Sequence, residues 1–389
     1  MLEPQFQEIL TTEDPMSSWR KKSWDKFRDL GSLQLKQDAF RYVPVQNLVV
    51  PKAALRSSFH VQSFSQRPYR IIFVDGFFSE EHSVLPDGVI CLPLDEAMNS
   101  YGVFLQTRFT KVLNEEMDPF AALNGAFQGQ GAFVYIPPKK QFSHPIFVEH
   151  FFTNSDMATP RLILYVGKQS NVEISQEWHR KESSFINAYV DVALDEGATV
   201  QCKTVERGSE KSHLFQSWRV SSKKMSKFTF RLYSEGAAVS RHSLKVQLLE
   251  EGSEALLQGV ATLEKSLHHH IHATVEHCAE NTRSRQHFKT LLRDTSCSSF
   301  EGKIYVHPEA QKTESYQLNN VLLLSDTAQS FAKPNLEVLA DDVKASHGAT
   351  IAQLDAESLF YLRARGLSAA EAQLLLVDSF VKELKECLP

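Results

Sequence analysis

Alternating apolar and polar residues dominate the middle of the chain. Apolar side chains stand at every second position in residues 188–194, 228–232 and 244–248, with polar or mixed residues between them. This period is typical of β-strands that bury one face and leave the other polar. The alternation begins after Gly131 and few helical patterns interrupt it, so we predict a β-rich core.

A recurring turn separates these predicted strands. The triplet Glu-Gly-Ala or Glu-Gly-Ser places Gly197, Gly236 and Gly252 where the backbone can adopt a positive φ. A long series of short strands leaves three architectures open: a sandwich, a barrel and a stacked β-solenoid. The unequal spacing of the turns suits the irregular turns of a solenoid better than an exact repeat. The residues themselves do not decide among the three.

The N-terminal part of the chain predicts a mixed α+β unit. Apolar residues recur at helical spacing in residues 19–30, and Gly31 is a suitable residue to end that helix. Residues 70–78 and 89–94 read as short strands broken by Gly and Pro. Helical spacing then returns over residues 95–127.

Helix-capping residues mark a helical region at the C-terminus. Asp355 is a good N-cap for a first helix, and Gly366 is suited to end it. Ser368 and Glu371 form the pattern of a capping box for a second helix. An apolar stripe runs along that second helix, at Ala372, Leu375, Leu376, Phe380 and Leu384. The predicted organisation is an α+β domain over residues 1–130, a β core over 131–336 and a helical domain over 337–389.

Composition and charge exclude several classes of partner. The chain has 42 Lys and Arg against 47 Asp and Glu, a net charge of −5, which argues against nucleic acid. Basic residues gather between Lys203 and Lys245, but Glu206, Glu210 and Glu235 interrupt them, so we expect a solvated strand face there. No apolar run is long enough to cross a bilayer, and the N-terminal residues lack the pattern of a secretory signal. We therefore expect a cytoplasmic protein with no membrane partner.

Histidine and cysteine are the candidate metal ligands. The five cysteines are scattered and include no C-x-x-C pair, so we expect reduced thiols, not a disulfide framework or a self-contained zinc or iron–sulfur site. His268, His270 and His272 fall on one face of a predicted strand, and Glu276 and His277 follow. This face is either a metal site or a polar or interface surface, because no Cys or carboxylate stands at a fixed metal-site spacing.

Motifs for nucleotide binding and nucleophilic catalysis are missing from the sequence. It contains no G-x-S-x-G elbow, no G-x-x-x-x-G-K-[ST] phosphate loop, and no G-x-G-x-x-G that opens a helix after a strand. If the chain works with ATP, another subunit must bind the nucleotide. An alternative function is that of a β-solenoid enzyme acting on acidic polysaccharide, which would need clustered carboxylates. The β region has Asp191 and Asp195 but no dense acidic group.

The stretch from Phe300 to Gly366 carries a resemblance to a known family. FEGKIYVHPEAQKTESYQLNNVLLLS leads through LEVLADDVKASHGAT to LDAESLFYLRARG, and weaker matches include DPFAALNGAF, FINAYVDVAL and HHIHATVEH. In these segments the chain resembles the SufB/SufD family of the SUF iron–sulfur cluster assembly machinery. Leu362 stands in FYLRARG where SufB-like sequences typically carry Cys, and this residue and the sequence Ser346-His347-Gly348 are similar to the SufD branch. Ala345 stands where many members of that branch have Cys.

The resemblance implies a right-handed parallel β-helix between an N-terminal α+β domain and a C-terminal helical domain. It implies a non-catalytic scaffold that pairs with SufB through the β-helix edge and recruits the SufC ATPase through the C-terminal helices. His347 is then the candidate site residue, either as a transient iron ligand at the SufB interface or as a hydrogen-bonding residue of the turn. No tightly bound cofactor is expected; the cluster is transient, and reduced flavin is a candidate electron source. A homodimer in the absence of SufB is left open.

Overall fold

The computed structural model describes residues 2–10, 15–32, 40–45, 48–54, 66–129, 131–154, 156–179 and 183–388. The helices are α1 (Leu2–Leu10), α2 (Ser17–Asp29), α3 (Leu94–Asn114), α4 (Pro119–Phe127), α5 (Ala356–Ala364) and α6 (Ala369–Val381), with a 3₁₀ turn at Lys382–Cys387. The strands are β1 (Arg70–Val74), β2 (Phe77–Val84), β3 (Ile90–Pro93), β4 (Ala132–Ile136), β5 (Ile146–Phe151), β6 (Met157–Ala158), β7 (Arg161–Val166), β8 (Asn171–His179), β9 (Phe185–Leu194), β10 (Thr199–Glu206), β11 (Ser209–Ser222), β12 (Lys227–Ser234), β13 (Ala237–Leu248), β14 (Glu254–Leu263), β15 (His268–His277), β16 (Arg283–Leu292), β17 (Cys297–Val306), β18 (Thr313–Leu323), β19 (Gln329–Val338) and β20 (Val343–Gln353).

These strands form a parallel β-solenoid of about 8 turns. From β7 onward the odd-numbered strands belong to one sheet, sheet A, and the even-numbered strands belong to the other, sheet B. Each strand pairs in parallel with the strand two places along the chain, as β10 pairs with β12 and β12 with β14. The solenoid architecture is therefore confirmed, and the sandwich and the barrel are excluded.

The two ends of the solenoid differ. At the N-terminal end, β2 pairs antiparallel with β1 in sheet B, and β3 pairs antiparallel with β4 in sheet A. At the C-terminal end, β19 and β20 are the last strands of sheets A and B. The strands run on past residue 336, and α5 begins only after β20 has ended.

The loops that lead from sheet A to sheet B repeat the same backbone conformation. In seven successive loops one residue has a positive φ: Lys139, Gln169, Gly197, Met225, Gly252, Asn281 and Lys312. Each of these residues donates its backbone N–H to a carbonyl oxygen in the next turn of the solenoid. In the first six, that oxygen belongs to the residue just before the next positive-φ residue: Gln169 donates to Glu196 over 2.9 Å and Met225 to Glu251 over 3.0 Å. The positive φ predicted for Gly197 and Gly252 is confirmed, and Gly236, also at positive φ, lies in a different turn.

The N-terminal helices cover part of the outer face of sheet A. The ring of Phe120 on α4 stacks on that of Phe215 on β11 with centroids 3.7 Å apart. Asn124 of α4 donates to the carbonyl oxygen of Asn187 on β9 over 2.6 Å. Strand β9 is consequently buried on both faces, whereas its alternating sequence predicted burial on one. The helix predicted from residue 19 and the helices predicted within residues 95–127 are present as α2, α3 and α4.

The C-terminal helices pack on the outer face of sheet B. Val377, Val381 and Leu384 form a buried cluster with Val260 of β14 and Leu291 of β16. Both predicted caps are present: Asp355 accepts from the Ser358 backbone N–H over 2.8 Å, and Ser368 and Glu371 form a capping box. Among the helices that the structure describes, none is long and apolar enough to span a membrane.

Candidate functional site

The last turn of the solenoid presents its inward-facing side chains to solvent. Strand β20 pairs in register with β18, so His347 lies beside Gln317 and Ile351 beside Val321. Gln317 and Val321 are buried inside the solenoid. Because side chains alternate between the two faces of a strand, His347 and Ile351 point the same way as these buried neighbours. No further turn covers them, and both are exposed.

His347 is the predicted site residue, and it lies in the middle of this open end. The imidazole forms no hydrogen bond within the part of the chain that the structure describes. The neighbouring Gly348 contributes no side chain, and a Cβ there would lie 3.3 Å from Cδ1 of Leu318. The position therefore presents an accessible imidazole, while Gly348 beside it faces the opposite side of the strand.

The residues that flank the open end are tied locally. The backbone N–H of Asp342 donates to Oε1 of Gln311 over 2.9 Å, and the carbonyl oxygen of Asp342 accepts from the Lys312 N–H over 2.6 Å. These contacts hold the start of β20 on the preceding turn. Ala345 faces inward two residues before His347, in register with the buried Ser315.

The two C-terminal helices expose apolar side chains. Phe360 and Tyr361 on α5 are exposed, as are Leu374 and Leu375 on α6. Phe380, in contrast, is partly buried against the solenoid. The predicted apolar stripe is therefore only partly buried: Leu384 packs against the solenoid, whereas Leu375 is exposed to solvent.

The histidine run on β15 is more enclosed than a solvated strand face. The rings of His268 and His270 lie on one face with centroids 5.6 Å apart, and His270 Nδ1 is 2.8 Å from the Ser299 hydroxyl. His270 is buried, and burial lowers the pKa of the half-buried His272 to about 4. Among the described residues, no potential metal-ligand group includes these three histidines. These three histidines therefore do not form one of the potential metal-ligand groups in the described part of the chain, and His270 is too enclosed for a solvated strand face.

Three other groups have metal-ligand chemistry. They are Glu206, His242 and His269 inside the solenoid; Glu276, Cys278 and His307 at a turn; and Glu149, Glu177 and His179 near the N-terminal end. In each group the potential ligand atoms lie within 4.8 Å of one another. The sequence did not reveal Glu206 or His242 as candidates, although both fall on inward positions of alternating strands.

The cysteine thiols are not activated. All five are free, and burial raises the pKa of Cys278, Cys297 and Cys387 to about 11 each. A thiol with such a pKa is protonated at neutral pH, and the thiolate is the form that binds metals.

The acids and bases singled out in the sequence are engaged in ion pairs. Asp191 pairs with Arg108, and Asp195 with Lys223 over 3.1 Å, so neither forms a free carboxylate pair. In the basic stretch, Lys224 and Lys227 pair with Glu251 and Glu254 over 3.3 and 3.2 Å. This pairing supports the expectation of a solvated strand face.

Comparison with known proteins covers almost the whole chain. Residues 5–148 match the SufBD protein N-terminal region, and residues 150–380 match the SUF system FeS cluster assembly SufBD core domain. An iron–sulfur cluster assembly SufBD family protein of Synechocystis is 28% identical over 95% of this chain and 83% of its own. The iron–sulfur cluster assembly protein SufD of Escherichia coli is 39% identical over 39% of this chain and 36% of its own. SufB of Bacillus subtilis is 21% identical over 78% of this chain and 66% of its own. The chain belongs to the SufBD family of iron–sulfur cluster assembly proteins.

Proposed function

We propose that the chain is a non-catalytic scaffold subunit of the SufD type, which pairs with a SufB subunit while a nascent iron–sulfur cluster forms between them. The observation that carries this proposal is the open last turn, where His347 and other inward-facing side chains are exposed. Such residues are normally covered by the next turn of a solenoid. A homologous partner with an end of the same kind would cover them.

The backbone of the last turn favours such a partner. Strands β19 and β20 each have one neighbour in their sheet, so their outer edges carry backbone groups without a strand partner. Exposed strand edges are ready sites for pairing with another chain. Exposed Ile351 adds apolar surface that a partner could bury.

His347 is suited to transient contact with iron, which is here the cargo of assembly. A neutral imidazole is a good ligand for iron. Ala345 and Leu362 lie where the resemblance implies that relatives have cysteine, so we infer that thiolate ligands for the cluster come from the partner. No residue of this chain is assigned a covalent catalytic step.

We propose that the ATPase subunit binds the exposed faces of α5 and α6. The sequence has no phosphate-binding loop, so ATP would be bound by that other subunit. We also infer a cytosolic location, because all five cysteines are unpaired and reducing compartments keep thiols free.

The cluster-forming role is tested by reconstituting the complex with SufB and SufC and measuring cluster absorbance. We expect His347→Ala to lower the yield at least several-fold while the complex assembles normally. His144→Ala is the control: it changes an exposed histidine far from His347 in the sequence and should leave the yield unchanged. An unchanged yield in His347→Ala would remove this residue from the mechanism. Repeating the assay with and without reduced flavin tests the predicted electron source.

The pairing role is tested by native mass spectrometry with and without SufB. Ile351→Lys places a charge on the inward side of β20 and should reduce the heterodimer population strongly. Thr350→Lys, on the outward side of the same strand, is the matched control. Equal heterodimer formation by both variants would contradict pairing through the open end. A stable homodimer that SufB does not displace would favour the alternative that the sequence left open.

A further inference from the structure

A buried group of one carboxylate and two imidazoles lies inside the solenoid, away from the open end. Glu206 ends β10, His242 lies on β13 and His269 on β15, so three separate strands supply the group. Their exposed fractions are 0%, 0% and 3%. Their potential ligand atoms lie within 4.8 Å of one another.

Hydrogen bonds hold the carboxylate of Glu206 in a fixed orientation. The hydroxyls of Ser234 and Ser240 each donate to its Oε2 over 2.7 Å. Nε2 of His242 lies 3.1 Å from the same oxygen. The rings of His242 and His269 have centroids 5.4 Å apart. The three groups are therefore already arranged around one small volume.

The two imidazoles are incompletely satisfied. Nδ1 of His242 and Nδ1 of His269 are both buried and have no hydrogen-bond partner among the described residues. Buried polar atoms in folded proteins nearly always have one. In His277, another buried inward-facing histidine of β15, both ring nitrogens have a partner: Nδ1 lies 2.8 Å from the Thr282 hydroxyl and Nε2 lies 2.9 Å from that of Ser284.

We propose that Glu206, His242 and His269 bind a divalent first-row transition-metal ion, Zn²⁺ or Fe²⁺, in the interior of the solenoid. Two histidines and one carboxylate form a common ligand set for both ions. Ligand atoms in a tetrahedral zinc site lie about 3.3 to 3.6 Å apart, so the side chains need to close by only about 1 Å. This site is independent of His347 and of the proposed pairing with SufB.

The test is the metal content of the full-length chain, purified through a tag without histidine in chelator-free buffers. Because the site is closed, the ion must enter during folding, so cells are grown with added Zn²⁺, Fe²⁺ or Co²⁺. Elemental analysis should find about one tightly held ion per chain in the unaltered protein. The Co²⁺ form should show visible ligand-field absorption. Which ion predominates distinguishes zinc from iron.

Matched variants decide whether the ion is bound at this site. His269→Gln and Glu206→Gln should each reduce the bound metal at least ten-fold, whereas His277→Gln and His347→Ala should retain it. Circular dichroism confirms that each variant folds. Unaltered protein without stoichiometric metal would overturn the proposal even if no variant folded. Retention of metal by His269→Gln would also overturn it, as would loss of metal in Cys278→Ser alone.

Discussion

Lys289 on β16 donates a hydrogen bond from Nζ to the carbonyl oxygen of Phe380 on α6 over 2.8 Å. The same ammonium pairs with Glu383 over 3.1 Å and lies 5.2 Å from the centre of the Phe380 ring. These contacts join the C-terminal helices to the solenoid. The helices that we propose to bind the ATPase are thus attached to the solenoid wall through a largely buried cation.

Replacing Lys289 should loosen this joint. In Lys289→Met we expect the attachment of α6 to weaken by about 1–2 kcal/mol, because a hydrogen bond from a charged donor is lost. Relative to the unaltered chain, the rate of backbone amide hydrogen exchange should increase more in α6 than in β10–β16. Lys303→Met, which removes an exposed pair with Glu337, is the control and should change exchange little. Equal exchange in α6 of both variants would contradict this role.

Leu375 should contribute to ATPase binding while Phe380 should not be directly involved. Leu375→Asp changes an exposed side chain, so we expect a folded protein that recovers much less SufC in co-purification. Val103→Asp places the same charge on an exposed apolar side chain of α3, outside the proposed binding faces, and is the matched control. If both variants recover SufC as well as the unaltered chain does, the ATPase binds elsewhere.

The pair of Arg219 and Glu116 should be important for stability. Arg219 Nε donates to Glu116 over 2.8 Å and a second nitrogen donates over 2.6 Å, and both side chains are buried. Arg219→Met leaves the Glu116 carboxylate buried without this partner, so the free energy of unfolding should fall by about 3–5 kcal/mol. Urea denaturation measures the loss. The double variant with Glu116→Gln should recover part of it; no recovery would mean that packing, and not charge, causes the loss.

Acid should destabilise the fold through buried histidines. Burial lowers the pKa of His150 and of His277 to about 3. An unfolded histidine binds a proton below about pH 6.5, so the unfolded state takes up protons that the folded state does not. The stabilisation is complete above that pH and is lost as pH falls toward 3, by about 2 kcal/mol per histidine at pH 5.

Urea midpoints at pH 7.5 and pH 5 provide the measurement. The ring of His150 lies between those of Phe73 and Trp178, with centroids 5.0 and 4.2 Å away. His150→Phe keeps an aromatic ring there and should lose less stability between the two pH values than the unaltered chain. An identical pH dependence in both proteins would exclude His150 as a source of the effect.

Replacing a glycine of the repeating loop with alanine should destabilise the fold. Gly252 has φ of +69°, and a Cβ there would lie 2.3 Å from Sδ of Met225, so the Met225 side chain would have to move. We expect Gly252→Ala to lower the free energy of unfolding by about 1–2 kcal/mol. Gly102→Ala is the control: Gly102 lies in α3 with open space around it, so alanine should be neutral or slightly stabilising there. Thermal denaturation would reveal the opposite signs, and equal effects would contradict the argument.

The same loop shows why the repeat of the solenoid could not be recognised in the sequence. The equivalent positions hold Lys139, Gln169, Met225, Asn281 and Lys312 as well as two glycines, so only a minority carry the glycine that marks a turn. Gly236 suggested a third member, but it lies in another turn. The shared property is a backbone angle and a hydrogen bond to the next turn, which residue types do not encode.

The histidine run shows a different limit of sequence reasoning. Alternation correctly placed His268 and His270 on one face, because that is a local property of a strand. Their enclosure depends on distant parts of the chain, including Tyr42 beside His270. Likewise, Glu206 and His242 meet only because the solenoid brings separate strands into register. Local elements and caps were therefore predictable, whereas burial and the interior group were not.

The difference between the two ends of the solenoid bears on how many chains the proposed pairing would join. If both ends were open and parallel, stacking head to tail would not close and could produce fibres. At the N-terminal end the last strands, β2 and β3, pair antiparallel, so β20 of another chain added there would not continue the parallel pairing of the solenoid. The proposed association of two C-terminal ends uses up both of them and would join two subunits.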